Sequence, residues 1–247
     1  MKLALFADIH SNLEALTACL EHAKALGAER FAFLGDLVGY GADPVAVLEL
    51  VEQHAAQGAV VVLGNHDAAA IGRPVKGLNS TAQAAITWTQ PRLGKRQRAF
   101  LTGLPLTVRE EDILFVHASA ASPERWPYVT GPRQADQSMK ATNAAFTFCG
   151  HVHEPKLYYR GAGGYPLPFR PVWGTPIPTG RHRQWLAIVG SAGQPRDRNN
   201  AACYALADLG RARVTFFRVP YDYGSAAEKI RAAGLPERLA RRLERGT

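Results

Sequence analysis

Five short polar clusters hold the side chains in this sequence that could do chemistry: Asp8-Ile9-His10, Gly35-Asp36, Gly64-Asn65-His66-Asp67, His117 and Gly150-His151-Val152-His153. The last is the densest. Two histidines one residue apart, where the apolar run Ala144 to Phe148 should stop and turn, can aim both imidazoles at one spot. The glycine before them lets the backbone come close to whatever sits there. Alone, a His-x-His is a weak metal signal and reads equally well as a loop with two exposed histidines. The other four clusters change this, because each directly follows an apolar strand candidate. Singly they have ordinary readings: Asp8 as a helix cap, Asp36 in a turn, His117 as a core histidine. Their recurrence at strand ends does not. In open α/β sheets the carboxyl ends of the strands line one edge, so these residues would converge there. Carboxylates and imidazoles gathered in such a place are costly unless paired or bound to metal, and the residues therefore predict a metal site. Asn12 and Tyr40 follow two of these turns and are candidates to touch a substrate, against turn or packing roles.

The elements that must position these clusters are legible from periodicity. Residues 2–7 form an apolar strand, and Ser11-x-x-Glu14 reads as a capping box opening a helix with Leu13, Leu16, Leu20 and Leu26 on one face, ended by Gly27. A second strand at 31–34 leads to Gly35-Asp36, and Asp43-Pro44 opens a helix with proline in its first position. A third strand at 59–63 ends at Gly64-Asn65-His66-Asp67. Strand, helix, strand, helix, strand with fully apolar strands describes parallel βαβ units covered on both faces. Helices are expected at 80–89, 93–101 and 134–141, a hairpin at 106–109 and 113–116, and strands before His151 and at 157–160, 185–189, 202–207 and 213–219. Two helices close the chain. Residues 161–180, rich in Gly and Pro, show neither period; Tyr165, Phe169 and Trp173 within them fit a lid, an oligomer contact or an ordinary surface loop.

Composition bounds the rest. The 247 residues, 47% apolar and not dividing cleanly into halves, read as one domain over 1–247. No stretch approaches the roughly 18 apolar residues of a membrane span, and the N-terminus is too short for a signal-peptide core. Cys19, Cys149 and Cys203 stand singly inside expected elements, which is reduced, cytoplasmic usage. The net charge of +8 would draw in phosphates or nucleic acid, although the cluster at Arg238, Arg241, Arg242 and Arg245 has helical spacing and equally describes a solvated surface.

In type and order the five clusters resemble the signature blocks of the calcineurin-like metallophosphoesterases: Asp-x-His, Gly-Asp, Gly-Asn-His-Asp, a lone His after a strand, and Gly-His-x-His, spread from residue 8 to residue 153. Segments 35–41 and 190–197 further resemble the small prokaryotic branch of phosphodiesterases and phosphatases. The resemblance implies an α/β fold in which two mixed sheets pack together between helices, a four-layer αββα sandwich. It implies two divalent transition-metal ions (Mn, Fe, Zn, Co or Ni, with Mn favoured), suited to a carboxylate, imidazole and amide donor set. Asp36 would bridge them, with Asp8, His10 and His153 completing one site and Asn65, His117 and His151 the other. A hydroxide shared between the ions would attack phosphorus in a phosphate ester. His66 would act as general acid, with Asp67 fixing its tautomer.

One departure concerns the phosphoprotein phosphatases of this superfamily, which carry an Asp-Arg pair in the second block where this chain has Gly39-Tyr40. Another basic residue would have to hold the phosphoryl group; Arg196 is the first candidate, against a salt bridge with Asp197. The expected substrate is a phosphorylated small molecule or nucleotide, dinucleoside polyphosphates included. A nuclease would be expected to carry a separate DNA-binding domain, and none is visible. Non-catalytic scaffold members typically lose the histidine of the Gly-Asn-His block, which this chain keeps as His66.

Overall fold

The computed structural model describes residues 1–247. With elements numbered along the chain, one six-stranded sheet contains β1 (Lys2–Phe6), β2 (Arg30–Phe33), β3 (Val60–Val61), β9 (Ile177–Pro178), β11 (Ala202–Asp208) and β12 (Arg213–Val219), in the order β3-β2-β1-β11-β12-β9. The other contains β4 (Thr107–Glu110), β5 (Ile113–Val116), β6 (Phe146–Cys149), β7 (Lys156–Arg160), β8 (Leu167–Phe169) and β10 (Gln184–Ile188), in the order β4-β5-β6-β10-β7-β8. Both sheets are mixed: β1, β2 and β3 run parallel, as do β5, β6 and β10, with antiparallel strands outside them.

Side-chain alternation sorts these strands into layers. In β1, Leu3 and Leu5 enter a core shared with Phe146, Phe148 and Trp185 of the opposite sheet, while Ala4 and Phe6 pack outward. Their outward partners are Leu16 and Leu20 of α1 (Leu13–Ala25) and Val47 and Val51 of α2 (Pro44–Ala56). In β10, Trp185 and Ala187 face inward, and Leu186 and Ile188 meet Ala135 and Met139 of α6 (Pro132–Lys140). The result is the expected four-layer αββα sandwich. Side chains such as Phe6, Phe148 and Phe216 are fully buried, each stabilising the fold by roughly 1.5–3 kcal/mol. The remaining helices are α3 (Asn65–Ala70), α4 (Ser80–Thr89), α5 (Lys95–Gly103), α7 (Tyr223–Ala232) and α8 (Glu237–Arg245). The last two pack with α4 in a separate cluster that includes Tyr40.

Three expectations are corrected. The N-cap of α1 is Asn12, whose Oδ1 accepts the Ala15 N–H at 3.1 Å; Ser11 remains in the preceding turn, with φ 54° and its N–H on Leu37 O. Its expected capping-box partner, Glu14, instead pairs with Lys229. The third strand is only two residues long, because Leu63 N leaves the sheet for Pro105 O. The excursion 161–180 contains two short strands, β8 and β9, one at the rim of each sheet, where a missing proline N–H breaks no interior ladder. No helix is long and apolar enough to cross a membrane.

Candidate metal centre

The turns after β1, β2, β3, β5 and β6 meet at one edge of the sandwich, because parallel strands end there together. They bring Asp8, His10, Asp36, Asn65, His117, His151 and His153 into one buried box, none more than 7% exposed. Five of the seven, Asp8, His10, Asp36, His151 and His153, have φ between 50° and 68°. Left-handed backbone of this kind costs about 1–3 kcal/mol per residue and persists only where surrounding structure enforces it. Here turn is bonded to turn: Asp8 N to Gly35 O at 3.1 Å, His10 N to Asp36 O at 2.9 Å. Gly150 is required by this closeness, since a Cβ there would stand 2.7 Å from Asp8 Oδ2 and strike the Ala7 side chain.

The imidazoles test whether the box suits a cation. His10 Nδ1 faces Val38 O (3.2 Å), His153 Nδ1 faces Gln194 O (2.7 Å) and His117 Nδ1 faces Leu34 O (2.8 Å). A carbonyl can only accept, so each Nδ1 carries the proton and, in a neutral ring, each Nε2 presents a lone pair. His10 Nε2 and His153 Nε2 then point at one another across 3.2 Å, with Asp8 Oδ1 3.6 Å from the latter. His117 Nε2 lies 3.1 Å from both Asn65 Oδ1 and His151 Nδ1. Asp36 Oδ1 accepts the His66 N–H at 2.8 Å, and Oδ2 stands between the two groups, 3.7 Å from His10 and 3.4 Å from His117. Acceptors aimed at acceptors are repulsive unless a positive charge lies between them, so these residues fit metal ions.

The electrostatics agree for His10, His151 and His153 and differ at His117, where without a cation a second proton on Nε2 takes its place. Burial pushes Asp8 up to about 8, helped by the Asp36 charge. Burial also holds His10, His66 and His153 below the ordinary histidine range and takes His151 down to about 3. His117 resists burial: the Asp36 carboxylate, its hydrogen bond and Asp8 carry it up to about 9. A pH dependence follows for protein stripped of metal. Between about pH 4 and 6 the unfolded chain protonates His10, His66, His117, His151 and His153 and leaves Asp8 and Asp67 largely ionised, whereas the fold disfavours protons on His10, His66, His151 and His153 and keeps them on His117, on Asp8 and on Asp67, itself pushed up by burial to about 7. The unfolded state binds the larger number, so stability falls as pH drops through this window, by about 1.4 kcal/mol per pH unit for each net proton. Urea midpoints of chelated protein at pH 7 and pH 5 check this; an equal or higher midpoint at pH 5 contradicts it.

His66 lies beside the box, its ring 4.8 Å from that of His10 and 4.5 Å from that of Tyr40. By position alone it could join His10 and Asp36 around an ion. Its Nδ1 is buried without a partner against Gly39, where a Cβ would come within 2.5 Å, leaving Nε2 as the nitrogen that can reach a substrate. Asp67 does not do what its place after His66 predicted. Its Oδ1 accepts from Leu37 N (2.8 Å) and Val38 N (3.0 Å), and its Oδ2 from Gly64 N (3.0 Å), so it braces the Asp36 turn and the start of α3. Consecutive residues of a helix do not face each other, which takes the carboxylate away from the imidazole next to it in sequence.

Asn12 is likewise reassigned. Besides capping α1, its Nδ2 donates to Gly193 O (2.8 Å) and Tyr221 Oη (3.2 Å), which makes it a bracing residue with no free donor for a substrate. Tyr40 and Arg196 are at the site: with Asn65, His66, Tyr128 and His151 they line a cleft of about 290 Å³ over the candidate ligands. The expected Arg196–Asp197 pair does not form, because Asp197 is taken by Arg218 from β12. No residue of 161–180 lines this cleft.

Three contributors went unread in the sequence. Tyr128, half exposed, stacks on His151 with ring centroids 3.9 Å apart; an aromatic at the end of a Pro-rich loop was its only signal. Ser191 donates to Asp8 O (2.7 Å) and accepts from Gln194 N (2.8 Å), so segment 190–197 forms the wall behind Asp8 and His153. The third, Arg242, arrives from α8.

Two mixed sheets between helices, with imidazoles and carboxylates gathered at their common carboxyl edge, define a metallophosphoesterase scaffold. The sequence model of the calcineurin-like phosphoesterase superfamily domain matches residues 1–212, and the chain belongs to that family. It is 35% identical over 246 residues to an uncharacterized protein of Methanocaldococcus jannaschii, covering 98% of this chain and 96% of the relative. A metallophosphoesterase from Sphaerobacter thermophilus has a similar structure, with TM-score 0.88 and 33% identity over 100% of this chain and 99% of that one. A hypothetical protein of Pyrococcus horikoshii shares the fold at TM-score 0.77 and 22% identity, over 100% and 98% of the two chains.

Proposed function

We propose that this protein hydrolyses phosphate esters, diesters included, at a two-metal centre, with His66 as general acid. The observation that carries the reading is Asp36 Oδ2, which stands between two groups of inward-facing lone pairs. Asp8, His10 and His153 would hold one ion and Asn65, His117 and His151 the other, with Asp36 shared. Such a pair supplies a water nucleophile at neutral pH and offsets charge on the phosphoryl oxygens. The chain's own residues do the rest. Backbone carbonyls of Val38, Leu34 and Gln194 keep three imidazoles in the ligating tautomer. As an imidazolium beside the anionic substrate, His66 would give its Nε2 proton to the leaving oxygen as the P–O bond breaks and return to a neutral ring. Arg196 at the cleft wall takes the position of a phosphoryl-oxygen donor, in place of the arginine absent at Tyr40.

Elemental analysis of protein purified without added chelator should find about two transition-metal ions per chain, manganese foremost. Hydrolysis of bis(p-nitrophenyl) phosphate should vanish on chelation and return on adding Mn²⁺. Metal-free protein that still turns over would exclude the mechanism, and a panel of monoesters, diesters, nucleotides and a phosphopeptide would rank the substrates.

A further inference from the structure

Beside the metal centre, two arginines converge on one neutral oxygen. Arg196 Nη2 lies 3.1 Å, and Arg242 Nη1 3.3 Å, from Gln194 Oε1. Neither guanidinium has a carboxylate within ion-pair distance. The neighbouring acids are engaged elsewhere: Asp197 with Arg218, Glu237 with Arg231 and Arg241, Glu244 with Arg231. Two like charges sharing a single amide acceptor repel each other, and burial together with the Arg196 charge holds Arg242 below the usual guanidinium range.

Donors are left over as well. Arg196 Nε is buried without a partner, and so is Nε2 of Gln194, a residue only 1% exposed. A buried unpaired donor costs about 1–3 kcal/mol, and here two adjoin two uncompensated charges. Arg196 also lies 5.7 Å over the Tyr40 ring, which lines the cleft above the metal ligands. Behind Arg242 the row continues: Arg238, Arg242 and Arg245, at i, i+4 and i+7 of α8, share one helix face along an open groove of about 610 Å³, and none of the three is paired to an acid.

We infer that Arg196, Arg242 and the Gln194 amide form an anion clamp for a second phosphate of the substrate, adjoining the scissile one. The inference rests on the phosphoester-hydrolase reading and narrows its substrate to phosphate esters that carry at least two phosphates in a chain. Guanidinium forks bind phosphate oxygens in pairs and are disfavoured left unpaired, so the clamp would discriminate for such a substrate over a lone diester. The unpaired row on α8 extends the same attraction away from the reacting phosphorus.

The test compares kcat/KM of the metal-loaded full chain for diadenosine tetraphosphate and for bis(p-nitrophenyl) phosphate, which has a single phosphate. Wild type should favour the former. R242Q should lower that preference about tenfold or more, chiefly through KM, and R242K should restore part of it. In wild type with metal in excess, inorganic pyrophosphate should inhibit bis(p-nitrophenyl) phosphate hydrolysis at least about tenfold more tightly than orthophosphate. Equal inhibition by the two anions overturns the clamp, whatever the variant does. A folded R242Q that slows both substrates in parallel would show that Arg242 merely braces Gln194, and unchanged kcat/KM for both would show that it does neither; each refutes the inference while leaving the hydrolase reading intact. Wild type that hydrolyses neither ester removes both.

Discussion

Replacing Asp36 by Asn should empty both metal positions while leaving the fold standing. The amide oxygen can still accept the His66 N–H that Oδ1 accepts now, so the start of α3 keeps its bond. At Oδ2 the change is severe. An NH₂ group would replace a charged acceptor 3.7 Å from His10 Nε2 and 3.4 Å from His117 Nε2, donating towards nitrogens that are needed as metal ligands. Neither group of ligands then retains the shared carboxylate, and His117, raised towards protonation chiefly by Asp36 against burial, reverts to a neutral ring. Loss of a supporting contact behind a ligand costs roughly 10–100-fold in metal affinity or activity, and a shared ligand should exceed that. The measurement is metal content per chain beside turnover of a generic diester. If D36N protein keeps two ions per chain, Asp36 does not bridge.

His66→Asn should give the opposite pattern, with metals retained and turnover reduced roughly 10²-fold or more. His66 contributes its backbone N–H to Asp36, which any residue supplies, and its ring faces the cleft from outside the buried box. A general acid matters in proportion to how poorly the leaving oxygen departs. The deficit should therefore be large for an alkyl leaving group and small for p-nitrophenolate, a dependence that a positioning or ligand role would not produce. Loss of one ion per chain in H66N would place His66 among the ligands, as its approach to His10 and Asp36 also permits.

The sandwich was legible because its strands are written twice, once as apolar runs and once as the polar clusters that end them. Phe31 to Leu34 or Phe146 to Cys149 cannot lie at a surface, so layers on both faces are forced. The short rim strands β8 and β9 were not legible: at three and two residues, with prolines inside, they exist only because a neighbouring edge offers hydrogen bonds. Asp67 and Asn12 misled for a related reason. Side chains beside a ligand in sequence are turned by helix geometry towards backbone donors, and sequence adjacency carries no record of that rotation.

By itself the amino-acid sequence determined which residue types stand at the strand ends, and so that seven potential ligands and His66 would gather at one edge, since parallel strands have only one carboxyl edge to share. Only the tertiary structure decided which nitrogen each imidazole presents, that Asp197 leaves Arg196 free, and that Arg242, 46 positions further along the chain, reaches the same wall. Tautomers and ion pairs are settled by whichever carbonyl or carboxylate folding brings within about 3 Å, and that neighbour is rarely close in sequence.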